Sequence, residues 1–345
     1  LGAGEEVSFL SDAIELPDGC VVACGWRTTD CLEPGCGSAA TAFVAKFQAA
    51  PANPSAESPV DGLLDASFGS GGFVDLEASP FEVSGGSCLA YDAANDEIVV
   101  GGWARASTTS GFVEAALWQV SSDGSSVQRT DLPNPDVTDQ AVLDLATSSD
   151  GGFVAAGFRG VNSRSFAAWT LLDDLTMDTG FGASGVVYEP AAPEFGNEGA
   201  SDVAVDGDRI YLVGHVSNGI VVYAIDRIDG TRQAAFGGTG VVEARRAFGG
   251  ETYAATAGGA ALDAAGNLLI GGTLRGSWSG SSNRDQPAVW RIDASGLPDT
   301  DFHGSVSSPT FGTGVVTLRE GSTNNPDIDF GRDTRVEALA IGPDG

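Results

Sequence analysis

One pattern governs what this chain can fold into. Residues 203–229, VAVDGDRIYLVGHVSNGIVVYAIDRID, read as a short strand, a tight Asp-Gly turn, a second apolar strand ending in Gly214, a loop and a third strand. The arrangement recurs at 13–26 (AIELPDGCVVACGW), 89–103 (LAYDAANDEIVVGGW), 145–158 (LATSSDGGFVAAGF) and 260–273 (AALDAAGNLLIGGT). Its opening returns once more at 339–345 (LAIGPDG). The glycines that close the second strand are Gly25, Gly102, Gly157, Gly214 and Gly272, at intervals of 77, 55, 57 and 58 residues. Insertions at 27–41 and 49–61 explain the long first interval, and third strands follow at 42–48, 115–120, 166–172, 220–228 and 288–292.

A fourth element carries a second signature: an Asp, then Phe-Gly, another Gly and two aliphatics. It reads LDASFGSGGFV (64–74), MDTGFGASGVV (177–187) and, without the Asp, QAAFGGTGVV (233–242). The fifth unit doubles it (297–306 and 310–316), and the second replaces it with QRTDLPNPDV (128–137). Four short strands per unit of 55–60 residues, with tight turns and no helical period, predict an all-β chain, a β-propeller of four-stranded antiparallel blades. A β-helix would need a shorter coil, and a sandwich would not repeat so regularly. The expected domain is single, 1–345, with blades at 7–76, 87–137, 141–189, 200–244, 256–318 and a partial sixth at 335–345. The chain starts at Leu1 without a leader and stops inside a turn, which reads as a fragment of a longer array.

The two motifs in register resemble the delta-60 repeat family of β-propeller repeats, over nearly the whole chain. That resemblance implies a secreted or cell-surface bacterial propeller, and it supplies no catalytic residues to carry over.

Composition narrows the partners. A net charge of −30, with Lys46 as the sole lysine, argues against nucleic acid or an anionic membrane, and is compatible with a saline habitat. No run of 18 apolar residues exists, so no membrane-inserted helix is expected. All five cysteines fall between Cys20 and Cys88, and their spacing is a poor match to a zinc ribbon. An oxidising compartment is the better reading, with Cys31–Cys36 closing a small loop and Cys24–Cys88 linking two blades.

Phe68, Phe181, Phe236 and Phe311 are expected to plug the space between blades, and Trp118, Trp169, Trp290 and Tyr223 to occupy one core register of the third strand. Function is expected on the rim that holds the connections between strands two and three, where the long insertions gather. There an arginine follows the closing glycine in four units, as Arg27, Arg105, Arg159 and Arg275, and an acid opens the first strand as Asp12, Asp144, Asp202 and Glu337. Hairpin pairing would set each acid opposite the closing glycine, within reach of the arginine. One reading is a repeated structural ion pair. The others are a charged ring at the channel mouth that holds a carbohydrate or anion, and a cation site. Trp278, in the insertion 274–287, joins these ligand-binding candidates.

Little else carries chemistry. His215 and His303 have no spaced partner, no nucleophile elbow occurs, and SSDGGF (148–153) is a hairpin turn. Asp327, Asp329 and Asp333 alternate somewhat like a calcium loop, yet the closing Glu at the twelfth position is absent. No cofactor other than that weak calcium candidate is expected. The functional expectation is a non-enzymatic, secreted or cell-surface binding or structural module for a protein or carbohydrate ligand, within a longer chain. The alternative is a hydrolase or lyase acting on a glycan with carboxylates such as Asp12, Asp144 and Asp202 at the channel mouth.

Overall fold

A computed structural model describes residues 6–29, 40–49, 63–76, 82–106, 111–161, 164–189, 199–216, 219–244, 254–278, 281–299, 301–302, 315–317 and 339. All regular structure among them is β, in five antiparallel sheets. The first sheet holds β1 (Glu6–Glu15), β2 (Val21–Thr29), β3 (Ala40–Phe47) and β4 (Phe73–Asp75). The second holds β5 (Glu82–Asp92), β6 (Glu97–Ala106), β7 (Glu114–Ser121) and β8 (Val127–Asp131). The third comprises β9 (Gln140–Thr147), β10 (Phe153–Arg159), β11 (Ser165–Leu171) and β12 (Val186–Glu189). Then come β13 (Gly199–Asp206), β14 (Arg209–Val216), β15 (Gly219–Asp226) and β16 (Val241–Ala244). The last sheet is β17 (Ala254–Leu262), β18 (Leu268–Trp278), β19 (Ser281–Ile292) and β20 (Val315–Thr317). No helix among the described residues is long and apolar enough to cross a membrane. The chain divides into two compact units, Leu1–Val161 with Leu171–Thr176, and Asn162–Thr170 with Met177–Gly345.

Each sheet is a meander, as the short Asp-Gly and Asn-containing turns require. The closing glycine does not end the second strand, as the sequence had suggested. Pairing continues past it, so that β2 reaches Thr29 and β18 reaches Trp278, and the expected insertion 274–287 is a long β18–β19 hairpin. What the glycine serves is a β-bulge, found at one register in all five first strands: Leu10/Asp12, Gly86/Cys88, Val142/Asp144, Ala200/Asp202 and Ala257/Gly259. The bulge drives a carbonyl of the first strand into the space a side chain would fill. A Cβ on Gly25 would stand 1.8 Å from the Phe9 oxygen, and one on Gly157 1.9 Å from that of Ala141.

Within the first unit, sheets one and two enclose an apolar cluster of Val22, Cys24, Val44, Phe68, Val100 and Trp118. In the second, sheets four and five do the same around Tyr211, Val213, Phe236, Ile270 and Trp290. Phe68 and Phe236 thus lie between sheets; Phe181 and Trp169 are fully buried and Tyr223 is buried, while Phe311 lies outside the described residues. Each such ring removes a large apolar area from water, which favours the folded state by about 1.5–3 kcal/mol.

The Phe-Gly motif also makes a latch that sequence reading did not foresee. The Phe68 carbonyl accepts from Gly72 N–H, and Gly69 N–H then donates to the Asp123 carbonyl in the turn after β7 (2.9 Å). Gly182 donates in the same way to Asp229 (3.1 Å), and Gly237 to Ser295 (2.8 Å). The backbones approach so closely that a Cβ on Gly124 would stand 2.7 Å from Gly69 N. The visible signal was a second glycine, in the turns DGS (123–125), DGT (229–231) and SGL (295–297).

Candidate functional site

Two of the four arginines, Arg27 and Arg159, pair with acids outside the first strand. Because of the bulge, Asp12 stands opposite Cys24, Asp144 opposite Ala156 and Asp202 opposite Val213, each one place away from the closing glycine. The Asp12 carboxylate accepts from its neighbour Ala13 N–H and, across to the next sheet, from Leu89 N–H, both at 2.8 Å. It is half-buried; burial pushes its pKa up, against the lowering effect of those two donors. Asp144 and Asp202 are also half-buried. Arg27 pairs with Asp75 of β4, and Arg159 with Asp136 of the connector before β9. Arg105 is exposed on β6 opposite Val83. Arg275 stands on β18 between Ala254 and Asp285, and Trp278 opposite Ser281. Glu337 lies outside the described residues. Arg27 and Arg159 thus find acids on the fourth strand and a connector, while Asp12 reaches across to the neighbouring sheet.

The position just after the closing glycine was passed over by the sequence reading. It holds Trp26, Trp103, Phe158, His215 and Thr273. Trp26 stacks on its cross-strand neighbour Phe9, ring centroids 4.3 Å apart and planes 23° from parallel. Phe9 is 46% exposed and the adjacent Leu10 63% exposed. The signal lay in the sequence as GW, GW, GF and GH. His215 is partly buried, its Nδ1 has no hydrogen-bond partner among the described residues, and burial lowers its pKa.

The cysteine expectation needs correction. Cys20, Cys24 and Cys88 are free thiols, and burial pushes the pKa of each upward. Cys24 points into the cluster between sheets one and two. Cys88 instead turns its sulfur over Gly101, on the side where Val142 and Leu145 pack. The two thiols therefore face opposite sides of the second sheet's inner strand, and the Cys24–Cys88 link does not form. Cys31 and Cys36 lie outside the described residues, as do His303, Asp327, Asp329 and Asp333. Among the described residues no group of three or more His, Cys, Asp or Glu side chains could hold a metal ion.

At the end of the sheets where the turns after the first and third strands meet, sheets one and two frame a cleft of about 410 Å³. Asp18, Lys46, Asp65, Tyr91, Asp96 and Asp123 line it. The Lys46 side chain is only 10% exposed, and its Nζ lies 3.3 Å from Asp18 Oδ2. The carboxylates are fixed by their own turns. Asp18 accepts from Cys20 N–H (2.9 Å), and Asp65 Oδ1 accepts from both the N–H and the hydroxyl of Ser67 (3.0 and 2.6 Å). Asp96 accepts from Tyr91 Oη (2.7 Å) and Ser122 Oγ (2.8 Å), and Asp123 from Ser121 Oγ (2.7 Å) and Ser125 N–H (2.9 Å). These donors, and at Asp123 the Ser125 hydroxyl first of all, hold all four below the usual carboxylate range, Asp123 at about 2, so the cleft sets four ionised acids around Lys46.

No family model matches this chain, and no curated protein matches its sequence. Among solved structures it is similar to the polysaccharide lyase Uly1, with TM-score 0.45 and 12% identity over 81% of this chain and 57% of the lyase. A protein of unknown function from Dyadobacter fermentans gives TM-score 0.42 and 13% identity over 80% of this chain and 74% of that one. An endo-1,4-beta-xylanase from Bacteroides thetaiotaomicron gives 0.36 and 12% over 91% and 94%. Likenesses at this level name no family and carry no functional argument.

Proposed function

We propose that the chain is a β-propeller of the delta-60 repeat type, secreted or displayed at a cell surface, that acts as a non-enzymatic binding module. The five sheets are its blades, and the rim beyond the closing glycines is its contact face. The observation that carries the reading is the Phe9–Trp26 stack with Leu10 beside it, two large apolar side chains left substantially exposed at that rim. Adjoining exposed apolar groups of this size favour a partner surface, because association removes them from water. The bulges at one register in all five sheets support the propeller reading, since each blade then presents equivalent positions on the same side. The lyase or hydrolase reading gains no support from Asp12, whose carboxylate fastens two backbone N–H groups.

The test is a panel of immobilised glycans and extracellular proteins probed with the wild-type chain and with a Phe9→Ser/Leu10→Ser variant of unchanged circular dichroism. A ligand that is retained by the wild type and weakened about tenfold or more in the variant is expected. Equal retention by the two chains, or an empty panel, would refute the assignment.

A further inference from the structure

The cleft between sheets one and two has a chemistry of its own, independent of the rim reading. Its floor is the chain's sole lysine, nine-tenths buried in a protein of net charge −30. An ammonium carries three donors, and among the described residues Lys46 spends one side-chain donor, on Asp18 at a long 3.3 Å. Around it stand carboxylates whose orientation is already set. Asp65 takes both Ser67 donors on Oδ1, which leaves Oδ2 without a partner among the described residues. Leu16, Pro17 and the Tyr91 ring supply apolar wall between these polar groups.

The mixture decides the ligand class. An anion would meet four ionised aspartates. A bare metal ion would need three converging ligands, which the described residues do not provide. A hydroxyl both accepts from an ammonium and donates to a carboxylate, so a molecule bearing several hydroxyls on a ring with apolar C–H faces satisfies every part of the lining. The volume of about 410 Å³ falls at the lower end of the small-ligand range of roughly 300–1,000 Å³. Because the turns hold the acids in place before any ligand arrives, little ordering entropy is lost on binding. We propose that this cleft binds a neutral saccharide, whose hydroxyls accept from Lys46 Nζ and donate to Asp65 and Asp123 against the Leu16–Pro17–Tyr91 wall.

The test is calorimetric and NMR titration of the full chain with glucose, N-acetylglucosamine, cellobiose and mannobiose, with spermidine and calcium as competing probes. Saturable saccharide binding with Kd on the order of 1 mM is expected. Lys46→Met and Asp65→Asn should each weaken it about tenfold, since each removes a hydrogen bond to a charged group. The Phe9→Ser/Leu10→Ser variant should bind these sugars as the wild type does, which separates this site from the rim. If Lys46→Met fails to fold, Asp65→Asn decides, because it keeps the Oδ1 acceptor its turn requires. Absence of binding by all four sugars, saturation by spermidine or calcium in their place, or wild-type affinity in Asp65→Asn would overturn the proposal.

Discussion

The bulge beneath each closing glycine makes a sharp prediction for Gly157→Ala. The new Cβ would stand 1.9 Å from the Ala141 oxygen, 3.0 Å from its carbonyl carbon and 3.2 Å from Leu143 N. Real Cβ atoms essentially never come within 3.0 Å of another heavy atom, and every group in the way here is backbone. No rotamer change can relieve the overlap. Either the β9–β10 pairing opens or the bulge is lost, and losing it would reverse the facing of every residue on one side of it. Overpacking with flexible neighbours costs about 1–3 kcal/mol, so a rigid obstacle should cost about 3 kcal/mol or more. The control is Gly111→Ala, where a Cβ meets nothing within 4 Å among the described residues and φ is not positive. Urea unfolding monitored by tryptophan fluorescence compares the two, and a melting point lower by roughly 2–4 °C per kcal/mol accompanies the loss in a unit of this size. Gly157→Ala and Gly111→Ala agreeing within about 0.5 kcal/mol would show the carbonyl–glycine contact to be wrongly assigned.

Further predictions follow from packing and titration. Phe236→Ala empties a site that is 0% exposed and edge-on to Tyr211 at 5.5 Å, and should cost about 3–5 kcal/mol in denaturant unfolding without a change in m-value. For Asp263, partial burial acts to raise the pKa, but hydrogen bonds from Asn267, Ala265 and Arg291 take it down to about 2. Its folded-state pKa is thus depressed, so the stability it contributes is present above about 3.8 and lost as pH falls towards 2. Wild type should exceed Asp263→Asn in stability at neutral pH, with the gap closing on acidification; a gap independent of pH would contradict this. His215 is also depressed, by burial: it is neutral in both states at high pH, and the unfolded chain gains the proton first as pH falls through about 6.5. Wild type should therefore lose more stability than His215→Gln between about pH 7.5 and about pH 5.5. Parallel pH profiles would refute the desolvation argument.

The hairpins and their repetition were legible before any coordinates, because alternation of apolar residues and the turn chemistry of Asp-Gly are local facts. IYLVG-like strands at a common spacing leave few other ways to pair, and the buried Phe68, Phe181 and Phe236 stood out for the same reason. What lay beyond reach was any feature decided by which neighbour a residue meets. A single extra residue such as Ser11 or Leu143 shifts Asp12 and Asp144 one place along their strands, and no composition rule marks it.

The chain's own order therefore determined the five-sheet all-β build, the hairpin turns and the aromatic fill, all of which rest on contacts within about sixty residues. The packing of one sheet against the next decided the rest. It sent Cys88 away from Cys24, joined Gly69 to Asp123, and gathered Lys46 with aspartates from two sheets into one cleft. Side chains far apart in sequence become partners only when their backbones are already in place, so their chemistry is a property of the assembled layers.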